Sequence, residues 1–282
     1  MVERKEERLE RFFYWIKERT EIQIKKDNKE PWPWTEDPIL REYKFTNAYR
    51  ENDRTTVWFR ENIRDPLKNK PEVYMATIIF RWFNLIETGK TLIENNLHLD
   101  WDPEEARIKI LPQKKWVTGA YMIKSPTGKN KVRGICETIT NVWNQRQSFL
   151  KRSPWNKLQE MNTYLEGYPF FGPFLAYEIV TDLRFTYIGK DAIDINTWAN
   201  AGPGAMRGLN RIHGRPLDYT SKKNDWCGEM KVLLDISPHY ELGGLLELRE
   251  IEHSLCEFDK YERVRTGLGA PRSKYYPGIS ND

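Results

Sequence analysis

A chain of 282 residues with 45 basic and 41 acidic side chains and a net charge of +4 can bury one sizeable core or two lobes without disulfide or metal staples. The charge is too near balance to signal a nucleic-acid partner by itself, and no run approaches the about 18 apolar residues of a membrane-spanning helix. Cys136, Cys227 and Cys256 are odd in number and widely separated, with no CxxC and no Cys/His cluster at zinc-ligand spacing. They read as reduced thiols of a cytoplasmic protein with no bound metal.

Helical periodicity dominates, and no long stretch alternates apolar and polar residues as a half-buried strand would, so the fold class reads as all-α. The amino-terminal MVERKEERLERFFYWIKERT is charged throughout, unlike a signal peptide, and carries Leu9, Phe12, Phe13 and Ile16 as a helical stripe. Segment 31–43, with Pro31, Pro33 and Pro38, reads as an extended or turning connection, making 1–43 a helix followed by a Pro/Trp-rich link. Trp32 and Trp34 there suit a base or a protein contact. In Phe45–Arg54, FTNAYRENDR, a helix would place Asn47, Arg50 and Arg54 on one face with Asp53 beside Arg50. That is a substrate-binding cluster or a salt-bridged surface helix. Pro71–Thr88, closed by Gly89, reads as one central buried helix. Asp102–Pro103 and Ser153–Pro154 read as capped helix starts. Residues 124–132 are the expected loop or lobe boundary. Between Lys124 and Lys157 basic residues face the single acid Glu137. Lys151 and Arg152 in this stretch are candidate phosphate contacts, with a solvated face as the alternative.

Tyr164–Arg184, YLEGYPFFGPFLAYEIVTDLR, reads as two helices around a turn at 168–172. It resembles the helix-hairpin-helix of DNA glycosylases, whose leucine-proline-glycine-x-glycine pattern falls here on Tyr168, Pro169, Phe170, Phe171 and Gly172. Phe170 replaces the first glycine. The resemblance implies a glycosylase-like helical fold with a cleft between two lobes. It also implies phosphate contact at Gly172 and a monovalent cation held by hairpin carbonyls; an ordinary αα-hairpin is the alternative. Such glycosylases carry an aspartate a helix and a loop later, where this chain has Asp194-Ile195-Asn196-Thr197-Trp198. Asp194 is thus a candidate catalytic carboxylate facing a flipped nucleotide, or a helix N-cap. Asn196 and Trp198 are candidate substrate contacts.

The following stretch, AGPGAMRGLNR, offers Gly202 and Gly204 at a bend opening a helix, with Arg207 and Arg211 four apart on one face. That suits a phosphate or pyrophosphate, though the motif is neither a P-loop nor a Rossmann fingerprint. In EHSLCEFDKYER, Leu248, Ile251, Leu255 and Phe258 form a buried stripe, and Glu252, Cys256, Asp259, Lys260 and Arg263 form a second, polar one. Glu252 and Glu257 are candidate catalytic carboxylates, and His253, Lys260 and Arg263 candidate substrate contacts. Intrahelical ion pairs and a structural histidine are the alternatives. The organisation expected is one helical unit over 1–282, with hairpin and glycine-rich loop in 153–215 and an irregular tail over 267–282.

Together FTNAYRENDR, GPFLAYEIVTDLR, DINTWANAGPGAMRGLNR and EHSLCEFDKYER resemble the phage family of α-glutamyl/putrescinyl-thymine pyrophosphorylases, also called amino acid:DNA transferases, in order from about residue 43 to 266. The resemblance implies thymine hypermodification in a phage-infected host cytoplasm. Its partners would be double-stranded DNA carrying pyrophosphorylated 5-hydroxymethyluracil and an amino acid or polyamine, with no membrane. No cofactor is required, although a divalent cation could accompany the pyrophosphate. The chemistry needs a cradle for the departing charge, assigned to Arg207 with Arg50 or Arg54. It also needs a proton acceptor, assigned to Asp194 or a member of the Glu252–Asp259 cluster. Arg263 or Lys260 would meet an incoming carboxylate. A glycosylase acting on a modified or damaged base and a non-catalytic DNA-binding module are the competing readings.

Overall fold

The computed structural model describes residues 3–119, 126, 130–220, 225–271 and 273–276. Among them the chain is all-α, as expected, with one isolated antiparallel bridge between Tyr43 and Lys274. The expected boundary at 124–132 lies largely outside the described residues. The helices fall into two compact units, one made of residues 1–53 with 196–282 and the other of residues 54–195.

The first unit is built on α1 (Lys5–Asp27), α2 (Pro38–Glu42), α11 (Pro203–His213), α12 (Trp226–Ile236) and α13 (Leu248–Arg265). The α1 stripe turns inward as expected: Phe12, Phe13 and Ile16 are buried, with Phe12 edge-on to Phe258 at 5.4 Å and Phe13 stacked on Tyr240 at 4.0 Å. The 31–43 connection is not wholly extended. Asp37 accepts from the N–H groups of Ile39 and Leu40, and Pro38 takes the first helical position, so a short helix forms. The described part of the carboxyl tail is tied down, since Lys44 donates to the Ser273 carbonyl and Tyr275 to that of Glu42.

In this unit α11 and α13 pack at very short range, and the glycines explain why. A Cβ on Gly208 would lie 2.4 Å from the Leu255 carbonyl oxygen, and one on Gly204 would collide with the Cys256 sulfur. Only glycine permits that approach.

The second unit contains α3 (Arg54–Phe59), a π turn over Arg60–Arg64, α4 (Asp65–Leu67), α5 (Glu72–Phe83), α6 (Ile86–Glu94), α7 (Pro103–Ile110), α8 (Lys131–Leu150), α9 (Leu158–Glu166) and α10 (Pro173–Leu183). Val73 to Phe83 are all buried, so α5 is the central helix that its apolar sequence predicts. It is shorter than expected. Asn84, at φ 46°, takes the left-handed conformation asparagine tolerates and ends α5, after which α6 restarts at Ile86. Gly89 does not terminate the helix; it sits inside α6, where a Cβ would meet the Trp58 ring at 2.5 Å. Arg81 of α5 and Asp182 of α10 make a buried two-bond ion pair, Nε to Oδ2 at 2.5 Å and Nη2 to Oδ1 at 2.8 Å. Tyr74 stacks on Phe149 of α8 at 3.8 Å.

Asp102–Pro103 starts a helix as read from sequence, Asp102 capping Glu104 and Glu105. Ser153–Pro154 does not: the next helix begins only at Leu158. The helical hairpin is present, α9 and α10 flanking the turn.

Candidate functional site

The polar face of α13 is the first unit's candidate site, because two adjacent stripes of one helix meet different neighbours. The stripe of Glu252, Cys256, Asp259 and Arg263 faces α11. Asp259 is fully buried and receives Arg207 Nε at 2.8 Å on one oxygen and Arg211 Nε at 2.8 Å on the other, with Arg263 Nε 3.7 Å away. Three guanidiniums around one carboxylate leave a net positive site. Arg211 is 7% exposed, and its buried Nη2 has no hydrogen-bond partner among the described residues, while Arg207 keeps 40% of its side chain in solvent. An arginine held on one edge with donors left over suits an anion.

The glycine-rich stretch does not make the open phosphate loop expected of it. Gly204 and Gly208 are spent on the α11–α13 approach, and Gly202 N–H points at Glu252 Oε1 at 3.4 Å. The electropositive start of α11 therefore faces the protein's own carboxylate.

The second stripe, Arg249, His253, Glu257 and Lys260, faces residues 45–53. This block is not the single helix expected: 45–49 are irregular, Arg50–Asn52 form one 3-10 turn, and Arg54 opens α3 of the other unit. The reason is local. Asp53 Oδ1 accepts from Asn47 N–H at 3.1 Å and Asn47 Nδ2 donates to the Asn52 carbonyl at 2.8 Å, a side-chain network that competes with helix. Asn47 Oδ1 in turn accepts from Arg19 Nη2 at 2.8 Å, and Arg19 Nε donates to the Thr46 carbonyl at 3.1 Å.

Thr46 joins the block to α13. Its N–H donates to Glu257 Oε2 at 3.0 Å, and its hydroxyl lies 2.8 Å from His253 Nε2. Lys260 closes on Glu257 at 2.8 Å. Burial, then the positive charges of Arg50, Lys260 and Arg249, push His253 well below the ordinary histidine range, so the imidazole is neutral. Burial pushes Asp53 up to about 6 against the opposing pull of Arg50. His253 and Asp53 thus reach neighbouring residues of the same loop, the Thr46 hydroxyl and the Asn47 N–H, each with its protonation shifted toward the neutral form by burial.

The remaining expected residues have other settings. Asp194 is buried in the second unit, and both its oxygens are occupied: Oδ1 accepts from Leu158 N–H at 2.7 Å and Oδ2 from Gln159 N–H at 3.1 Å. That is the helix-capping geometry, applied across sequence to α9, whose own N-cap Lys157 makes no side-chain bond. Asn196 accepts from Leu248 N–H at 3.3 Å, at the start of α13, and Trp198 is half-buried in the same unit. Lys151 and Arg152 are exposed at the end of α8, Arg152 lying over the Tyr164 ring at 5.0 Å. Gly172 is the N-cap of α10, with open space where a Cβ would be.

Sequence reasoning passed over Arg19 and gave no separate role to Asp259. Arg19 continues the α1 stripe one turn beyond Ile16, and a charge on an apolar stripe is the signal that marks it. Among the described residues no group of three His, Cys, Asp or Glu side chains is placed to hold a metal, and no helix is long and apolar enough to cross a membrane.

Residues 6–268 match the sequence family described as "5-hmdU DNA kinase, helical domain". Among curated proteins the chain is similar to a 5-hmdU DNA kinase of Bacillus phage SP10, 25% identical over 261 residues. That alignment covers 81% of this chain but only 40% of the relative, so the chain spans about two fifths of that protein's length. No solved structure matches the chain.

Proposed function

The chain belongs to the family of the helical domain of 5-hmdU DNA kinases, and on that premise we propose that it acts on phage DNA carrying modified 5-hydroxymethyluracil, as an amine:DNA transferase of thymine hypermodification. In this reading the amine nitrogen attacks the exocyclic methylene of pyrophosphorylated hydroxymethyluracil. A C–N bond forms, the C–O bond to pyrophosphate breaks, and the amine gives up one proton. The observation that carries the reading is the pairing on α13 of a surplus-positive arginine cluster around Asp259 with a neutral His253.

Arg207, Arg211 and Arg263 would hold the charge that grows on the leaving pyrophosphate, which is where preorganised cations lower a barrier most. His253 would accept the amine proton through the Thr46 hydroxyl, 2.8 Å from its Nε2, and Glu257 and Asn47 would fix the loop that carries Thr46. Glu252 of α13, whose Oε1 lies 3.4 Å from the Gly202 N–H at the start of α11, is the second candidate acceptor. We leave Asp194 out of the chemistry because α9 uses both its oxygens. The same engagement weighs against the glycosylase alternative, which needs that carboxylate free.

A second reading has its own support. A family described as a kinase's helical domain fits a module that presents hydroxymethyluracil DNA to a phosphorylating partner. Incubating the protein with DNA containing pyrophosphorylated hydroxymethyluracil and a pool of amines separates the two. A heavier, intact nucleoside supports transfer, and unchanged DNA that is nevertheless bound supports presentation.

A further inference from the structure

We propose that Phe170, at the tip of the α9–α10 hairpin, is a stacking surface for a nucleobase of the DNA; this rests on the reading of the chain as DNA-acting. Phe170 has φ +67°, a left-handed conformation that glycine adopts freely and a bulky side chain rarely does. Phe170 is 47% exposed, so burial offsets only part of that backbone cost. Phe171 anchors the turn, buried edge-on against Trp82 at 5.4 Å and tilted on Tyr168 at 5.6 Å. A strained, solvent-facing aromatic beside a fully anchored neighbour indicates a side chain kept for contact outside the fold.

The surroundings indicate what it contacts. From Gly167 to Phe174 the turn carries no charged residue, and Pro169, Gly172, Pro173 and Phe174 are exposed with Phe170. Exposed Arg152 lies over Tyr164 of α9, the helix that leads into this tip, and Tyr164 meets Tyr168 at 5.8 Å. The nearest acid along the chain, Glu166, is engaged by Asn162 Nδ2 at 2.6 Å. An exposed aromatic ring on a turn without charges, with an exposed guanidinium on the helix that leads into it, matches an unstacked base of a DNA strand, and stacking of this kind tolerates any base.

The test is Phe170→Gly, because the two roles predict opposite outcomes for it. Glycine suits the backbone, so thermal stability should hold or rise, while binding of a fluorescein-labelled hydroxymethyluracil duplex should weaken by about tenfold or more. Phe170→Trp should bind as the wild type does, with its indole fluorescence quenched on adding DNA. Unchanged affinity in Phe170→Gly overturns the inference. If that happens while the wild type binds DNA, the DNA-acting reading survives and only the stacking role is lost. A wild type that fails to bind DNA at all overturns both.

Discussion

Replacing Gly208 by alanine should destabilise the protein although it improves the local helix. The methyl group would sit 2.4 Å from the Leu255 carbonyl oxygen, 2.9 Å from its carbon and 3.0 Å from its Cβ, so backbone rather than a flexible side chain must give way. Restoring ordinary contact distances parts α11 from α13 by roughly 1 Å, an overpacking cost of about 1–3 kcal/mol. Against this stands a gain of about 1 kcal/mol for alanine over glycine within a helix. The blocked atoms being backbone puts the cost at the upper end, leaving a net loss of about 2 kcal/mol. For a chain of this size that lowers Tm by about 4–8 °C. The same displacement draws Arg207 and Arg211 out of hydrogen-bond range of Asp259, so turnover should fall as well. Thermal and urea unfolding of Gly208→Ala beside Gly202→Ala makes the comparison, since a Cβ on Gly202 meets nothing closer than 3.9 Å. A Gly208→Ala protein as stable as the wild type, or more so, would refute the close packing and return the glycines to a ligand-binding role.

Asp259→Ala leaves buried Arg211 without its counter-charge and should cost about 3–5 kcal/mol in urea unfolding; Arg207→Ala, at a partly solvated side chain, should cost about 1 kcal/mol yet cut turnover about a hundredfold. Because the folded pKa of His253 is depressed, its contribution is present above the unfolded value of 6.5 and is lost as pH falls below it, when only the unfolded chain takes up the proton. Asp53 acts in the opposite sense, its raised value making it favourable below 3.8 and less so as pH rises through about 6. The stability difference between the wild type and His253→Gln should therefore shift steadily against the wild type from about pH 7 to about pH 5.5, and a pH-independent difference would contradict a neutral His253. Asp194→Asn keeps one acceptor oxygen and loses the charge at the start of α9, so stability should drop by about 0.5–1 kcal/mol with turnover unchanged; abolished turnover in a fully stable variant would place Asp194 in the chemistry.

Where the local pattern has one physical meaning, it was legible in the sequence. The stripe of Phe12, Phe13 and Ile16, the apolar run from Val73 to Phe83 and the Asp102–Pro103 start all fold as their spacing dictates. Signals with two meanings were not decided locally. Glycines at a helix start serve a phosphate or a close neighbour equally well, and only the position of Leu255 and Cys256 in space distinguishes them for Gly204 and Gly208. An aspartate before a helical stretch reads as an N-cap or a catalyst, and Asp194 caps a helix 36 residues earlier in the chain, beyond any local pattern. The FTNAYRENDR block has helical charge spacing, but the side chains of Asn47 and Asp53 bond to the backbone and prevent the helix. The packing of that block on α13, through Thr46 on Glu257 and His253, joins stretches more than 200 residues apart and is beyond any local pattern.

The central claim is that this chain itself performs amine transfer on modified thymine in DNA. Its most direct test is mass spectrometry of nucleosides released from DNA with pyrophosphorylated hydroxymethyluracil after incubation with the purified protein and a mixed pool of amino acids and polyamines. The account predicts a base that gains the mass of one amine as pyrophosphate is released, at a rate reduced about a hundredfold in Arg207→Ala. Abasic sites in the product, or DNA recovered unchanged despite binding, would contradict it.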